Sequence, residues 1–219
     1  MSYVYMKALE NKATKYDKGI KLLTLGTLPK IKKFIVDQYI TPSDHILDIG
    51  MGTGTFAILS ASKKKTDVIG IDRSEKMLAI ATNHINKAGF QELVHPKHLN
   101  IVEMDTEFPD CIFDKVIAIL SISEMYINER AFCLKQISRV LKPEGEFIIV
   151  DEMIPRKIWQ KLLYYAIRIP LVFLTYIITN LSTKSLEDIY ELLEDYNFRI
   201  LEERSYLLDS LRLIRVKKN

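Results

Sequence analysis

Asp48, Gly50, Gly52, Gly54 and Asp72 are the residues whose types and spacing could do chemistry. They share one stretch, His45 to Asp72, HILDIGMGTGTFAILSASKKKTDVIGID. Glycines directly after an apolar run allow positive φ and a close approach of backbone to a ligand. Asp48 precedes the first glycine by two residues, and Asp72 ends a second apolar run. A carboxylate at that second place can accept both hydroxyls of a ribose.

Two cofactor classes use such a plan. A dinucleotide fingerprint needs G-x-G-x-x-G, with the pyrophosphate on the following helix N-terminus. Here the third glycine comes one residue early, and Thr55 takes the last position. Asp48 would repel a pyrophosphate but favour a cationic aminoacyl group. The loop therefore prefers S-adenosylmethionine, with its ammonium and sulfonium, and disfavours a nicotinamide-dependent oxidoreductase. Asp105, after a third strand-like run, is an acceptor that an adenine amino group could use.

Other chemistries find little support. Cys111 and Cys133 form no Cys-x-x-Cys pair, which suits a reducing, cytoplasmic setting. Pro96 between His95 and His98 argues against a helix, so these are expected to be loop histidines and no metal site is expected. A net charge of +3 is too small to imply nucleic acid, and Lys63 to Lys65 reads as a solvated helix C-terminus. With 219 residues, 48% hydrophobic and 27% charged, the chain suits one globular domain.

The positioning elements alternate. Helix is expected over 15–39, broken near Gly26 to Pro29, then strand Ile46 to Ile49, helix Phe56 to Ser62 and strand Val68 to Ile71. Ser74 caps an amphipathic helix that Gly89 ends. A third strand is expected at Asn100 to Met104 and a fourth at Phe113 to Leu120. Helix Asn128 to Leu141 and strand Glu146 to Val150 follow. This alternation implies βαβ units and a mainly parallel sheet, with the ligand crevice at the strands' carboxyl ends. A helix from Ser185 to Tyr196 precedes two β runs joined at Asp209-Ser210, an antiparallel hairpin. No N-terminal signal segment is visible. Ile158 to Leu181 is long and apolar but is interrupted by Gln160, Lys161, Arg168 and Pro170. It reads as a buried or interfacial helix pair.

The segments ILDIGMGTG, VIGIDRSEKMLAIA, VEMDTEFPDCIFDKVIAILSISEM and VLKPEGEFIIVDE resemble successive motifs of class I S-adenosylmethionine-dependent methyltransferases. They are most similar to the ubiquinone/menaquinone-biosynthesis C-methyltransferase branch, over residues 15–152. The N-terminal segment and the tail are also similar to a corrinoid-protein-associated methyltransferase subgroup. The resemblance implies an α/β, doubly wound Rossmann-like sheet of seven strands, the last antiparallel, with a helical lid after strand five. It implies one domain over 1–219: an N-terminal helical cap (1–40), a cofactor-binding core (41–156), an apolar lid (157–197) and a C-terminal hairpin (198–219). It carries Asp48, Gly50, Met51, Gly52 and Gly54 to the methionine-cradling loop. Asp72 falls to the ribose, Arg73 and Met77 to positions flanking adenine, and Asp105 and Thr106 to its edge. Ser121 falls where strand four meets cofactor and substrate. Met51 departs from the small residue usual at its place.

The implied activity is in-line methyl transfer to a small-molecule acceptor, apolar or planar and related to quinones, lipids or corrinoids. S-adenosylhomocysteine is the product. A base is needed only if the acceptor must lose a proton; Glu124 and Tyr16 are the candidates, and Glu124 could instead be a helix-start carboxylate. Tyr16, Ser123, Trp159 and Tyr165 are expected near the acceptor. Met77 could equally be plain core, Ser121 and Ser123 could cap a turn, and Asp48 could hold a loop amide. The segment 157–181 leaves a membrane surface, a partner protein or a homodimer open as contacts. The rival from another class is a non-catalytic module that keeps the cofactor pocket and docks a partner through its apolar helices.

Overall fold

The computed structural model describes residues 16–166, 169 and 186–218, with the backbone alone at Tyr16 and Leu23. The first half of the chain runs α1 (Tyr16–Leu23), α2 (Thr27–Tyr39), β1 (His45–Ile49), α3 (Thr55–Lys64), β2 (Asp67–Asp72), α4 (Glu75–Ala88) and β3 (Val94–His98). A 3-10 turn (Ile101–Glu103) and the short α5 (Met104–Glu107) lead to β4 (Phe113–Ile119), α6 (Ile127–Val140) and β5 (Leu141–Glu152). Residues 158–166 are helical. The chain ends with α7 (Ile189–Asp195), β6 (Phe198–Tyr206) and β7 (Leu211–Lys218).

The seven strands form one sheet in the order β3-β2-β1-β4-β5-β7-β6. β1 to β5 run parallel, and β7 runs antiparallel to both β5 and β6. Alternate residues of each central strand enter two different cores. Leu47, Ile49, Phe147 and Ile149 pack on the side of α6 and α7. Ile46, Ile148 and Val150 pack on the side of α2, α3 and α4. A sheet covered on both faces needs near-continuous apolar strands, which β4 and β5 supply.

Local signals account for most helix ends. Ser74 Oγ accepts the Met77 N–H at 3.4 Å, and Gly89 closes α4 at φ 76 in the left-handed region. The expected break at Gly26 to Pro29 also stands: Gly26 adopts φ 70, and Pro29 lies in the first turn of α2.

Four expectations are corrected. The third strand is Val94–His98, and Asn100 to Met104 is helical turn instead. Asn100 N–H donates to Glu103 Oε2 at 2.8 Å, a cap that competes with strand pairing. His95 and His98 are therefore strand residues, and Pro96 is tolerated because β3 is an edge strand. β5 begins at Leu141, with Phe113 opposite Leu141 and Lys115 opposite Glu146, so residues 142–145 bulge out. The last helix starts at Ile189 after Asp188, while Ser185 lies outside the described residues. Its Ile189 and Leu193 are buried in the core on the α6 side of the sheet.

Candidate active site

The β1–α3 loop is held against the end of β2. Gly50 and Met51 N–H both donate to Ile71 O, at 2.8 and 3.0 Å. Gly50, Gly52 and Gly54 all have positive φ. Gly50 is the most constrained: a Cβ there would sit 2.6 Å from Ser121 Cβ at the end of β4. Backbone at that point can touch a ligand where any side chain would collide.

Asp72 closes the loop from the β2 side. Its Oδ2 accepts the Gly52 N–H and its Oδ1 the Ser74 N–H, both at 2.8 Å. Burial raises its carboxyl above the usual range, opposed by those two bonds. Each oxygen keeps a lone pair free for a hydroxyl.

Asp48 is 2% exposed, and its Oδ2 has no hydrogen-bond partner among the described residues. Burial drives its carboxyl up to about 7, Lys32 pulls the other way, and Asp72 adds to the rise. Lys32 reaches from α2 to Thr55 Oγ1 at 2.6 Å, at the first turn of α3. Its ammonium is pushed below the usual lysine range by burial, with Asp48 and Asp17 opposing. Thr53 Oγ1 donates to Asp17 at 2.7 Å and ties α1 to the loop.

A pocket opens at the carboxyl ends of β1, β2 and β4. Its walls include Gly50, Gly52, Asp72, Arg73, Met77 and Ser121 among the expected residues. Ser121 Oγ is buried with no partner among the described residues, a second polar atom left over beside Gly50. Glu124 also lines the pocket. It lies shortly before α6, where Glu129 Oε2 accepts the Tyr126 N–H at 2.8 Å.

Other expected residues lie elsewhere. Met51 turns away from the pocket and packs over Gly70 of β2, where a Cβ would stand 2.2 Å from its sulfur. The missing side chain at Gly70 is what accommodates the larger loop residue. Asp105 and Thr106 are exposed on α5, outside the pocket wall. Ser123 is occupied structurally: its N–H and Oγ donate to Asp151 at 2.9 and 2.6 Å. Trp159 and Tyr165 are exposed and do not line the pocket. The Tyr16 side chain lies outside the described residues.

Residue-type reasoning passed over Leu99, Asn100 and Ile101, which form the pocket wall after β3. The shifted third strand hid them. The Asn100-x-x-Glu103 spacing was the readable signal, since it marks a helix start rather than a strand. Lys32 carried no local signal; its role depends on how α2 crosses the loop.

Known proteins place this arrangement. The family described as "Methyltransferase domain" matches residues 40–196. A demethylmenaquinone methyltransferase from Symbiobacterium thermophilum is 33% identical over 155 residues, covering 69% of this chain and 60% of the relative. A ubiquinone/menaquinone biosynthesis C-methyltransferase from Geotalea uraniireducens is 28% identical over 157 residues, covering 70% and 65%. The matched region is thus less than two thirds of either relative. Among solved structures, a Pyrococcus horikoshii protein superimposes with a TM-score of 0.70 at 21% identity, over 89% of this chain and 92% of that one. A geranyl diphosphate methyltransferase solved with S-adenosylmethionine gives 0.69 at 12% identity, over 94% and 91%. At those identities the structures establish the fold. The family match spans well over half the chain, and the chain belongs to this methyltransferase-domain family.

Proposed function

We propose that this member of the methyltransferase-domain family binds S-adenosylmethionine in the pocket at the ends of β1, β2 and β4 and transfers its methyl group to an apolar, quinone-like acceptor. The observation that carries the reading is the pair of buried, partnerless oxygens beside the glycine loop, Asp48 Oδ2 and Ser121 Oγ. Buried polar atoms in native proteins have partners; Ser121 lines the pocket, Asp48 stands on β1 two residues before the pocket-lining Gly50, and among the described residues neither oxygen has a partner. The residues fit the group: a cationic aminoacyl end suits Asp48, and a ribose suits Asp72.

When bound, S-adenosylmethionine supplies an electrophilic methyl on a sulfonium. The chain's own residues bind, orient and exclude water. Gly50 and Gly52 bring backbone close to the methionine end, and Asp72 accepts the ribose hydroxyls. Met77, Leu99 and Ile101 form an apolar slot for a flat base, with Asn100 at its edge in place of Asp105. Ser121 stands at the carboxyl end of β4, where cofactor and acceptor meet. Glu124, on the pocket wall, is placed to take a proton from a hydroxyl-bearing acceptor ring. Two reactants held in near-attack geometry account for much of the barrier reduction. Residues 41–156 form the cofactor-binding part in this reading. The quinone-like class follows from the relatives' names, carried over as part of the proposal.

Calorimetric titration with S-adenosylmethionine and S-adenosylhomocysteine tests the cofactor. Micromolar binding of both is the expected result. Mass-detected methylation of a demethylnaphthoquinol then tests the acceptor. Binding without turnover on any quinol would favour the partner-docking module, and no binding of either compound would end the cofactor reading.

A further inference from the structure

The helix that follows β5 is amphipathic in the inverse sense. At the 3.6 residues per turn of an α-helix, Ile158, Trp159, Leu162, Leu163 and Tyr165 fall within an arc of roughly 160°. All five are exposed, with Ile158 at 78%, Leu162 at 68% and Trp159 at 56%. Ile169 continues the pattern and is also exposed. The side of Gln160 and Tyr164 faces the protein instead. Gln160 and Tyr164 are half-buried, and Tyr164 Oη donates to Glu152 Oε1 at 2.9 Å. The helix is firmly mounted at its start: Arg156 N–H donates to Asp209 Oδ2 at 2.7 Å, and its guanidinium reaches Glu203 at 2.6 Å.

A surface helix normally turns its apolar stripe to the core. A contiguous exposed apolar face of this kind marks an interaction site. Charge decides the occupant. Lys161 is exposed and borders the apolar arc on one edge, and Lys157, also exposed, stands immediately before the helix. From Arg156 to Ile169 the sequence holds Arg156, Lys157, Lys161 and Arg168 and no acidic residue. A twofold dimer through this face would set lysine edges against like charge. An anionic lipid surface takes both features at once, apolar side chains below and ammonium groups at headgroup level. No helix among the described residues is long and apolar enough to cross a membrane, so this element would lie on the surface.

We propose that the helix beginning at Ile158 docks the protein on an anionic lipid surface, with Ile158, Trp159, Leu162 and Leu163 entering the acyl boundary and Lys157 and Lys161 facing the headgroups. The helix leaves the carboxyl end of β5, and β5 lies parallel beside β4, whose carboxyl end borders the pocket. The helix and the pocket thus share the carboxyl edge of the sheet. Lipid binding does not depend on the cofactor reading, and its test uses neither cofactor nor acceptor.

Trp159 is the one tryptophan of the chain, so its fluorescence reports this face directly. The experiment titrates the full chain with phosphatidylglycerol/phosphatidylcholine vesicles and with phosphatidylcholine vesicles alone. The expected result is a blue shift on the anionic vesicles and quenching by lipids brominated in the acyl chain. Lys157→Ala and Lys161→Ala should each weaken partitioning about fivefold, the factor expected per basic residue near a charged surface. Leu162→Glu, a change at an exposed position, should abolish partitioning and leave S-adenosylmethionine affinity unchanged. Unchanged emission on anionic vesicles overturns the proposal, as does equal binding to neutral ones. So does blue-shifted emission in dilute protein without lipid, which would mean the chain covers its own face. A concentration-dependent blue shift with a doubled sedimentation mass would assign the face to a second copy.

Discussion

Asp48, on the interior strand β1, and Asp209, in the turn between the last two strands, are both buried aspartates, and their surroundings differ completely. Asp209 sits in the β6–β7 turn, where its oxygens accept from Arg212 at 2.9 Å, from Ser205 Oγ at 2.6 Å and from the Arg156 N–H at 2.7 Å. Burial alone would raise its carboxyl, but the bonds from Arg212, Ser205 and Arg156 hold it well below the usual range. Asp48 keeps an oxygen without a partner among the described residues, and burial raises its carboxyl. A carboxylate whose lone pairs are all used is structural. In the proposed reading, the one left short beside the glycine loop takes the cofactor's ammonium. The contrast separates the cluster that mounts the helix after β5 from the glycine loop proposed to hold the cofactor.

The contrast breaks most visibly at Arg212. Removing one partner of a buried pair leaves the other charge uncompensated, which costs about 3–5 kcal/mol. Arg212→Ala should lower stability by that order in denaturant melts while leaving S-adenosylmethionine affinity intact in any folded fraction. A parallel loss of affinity would mean that the two regions are coupled. Asp72→Ala should do the reverse. Losing hydrogen bonds to a charged group costs about 1.5–3 kcal/mol, so affinity should fall roughly 10- to 100-fold by calorimetry with the fold retained. Gly50→Ala combines a positive φ of 71 with the collision at Ser121. It should cost about 2 kcal/mol of stability, the order expected of a strained backbone position, and also block cofactor binding.

The finest test is pH. Asp48 binds its proton more tightly folded than unfolded, so its contribution to stability is full below about pH 4 and is lost as pH rises through about 7. Asp209 has the opposite sign: its contribution is present above about pH 4 and is lost as pH falls towards its depressed folded value. Asp48→Asn should flatten the decline between pH 5 and 8 in thermal melts and leave the acid limb in place. Cofactor affinity should rise as pH passes 7, because an ionised Asp48 attracts the cofactor's ammonium, and Asp48→Asn should remove that rise. An unchanged pH profile in the variant would show that Asp48 does not set it.

Much of the fold was legible from one dimension. β1, β2 and β4 are short apolar runs, Ser74 and Gly89 bracket α4, and the glycine loop with Asp72 marks the pocket, because each depends on neighbours in sequence. The errors came where tertiary context outweighs local pattern. The Val94–His98 strand is polar and contains a proline, and it pairs because β2 offers it an edge. The Ile101–Glu103 turn is apolar at Ile101 and Val102, and it looked like the strand instead.

The sequence by itself determined the doubly wound fold and marked the glycine loop and Asp72, which the pocket wall includes. Spacing along the chain suffices when glycines, caps and strand periodicity act over a few residues. Only the tertiary structure decided that Asn100 rather than Asp105 borders the pocket, that Gly70 makes room for Met51, and that Lys32 reaches the loop from α2. It alone showed that the helix after β5 turns its apolar side outward. Hydrophobic periodicity reveals that a face exists; which way it points depends on what the other elements leave uncovered.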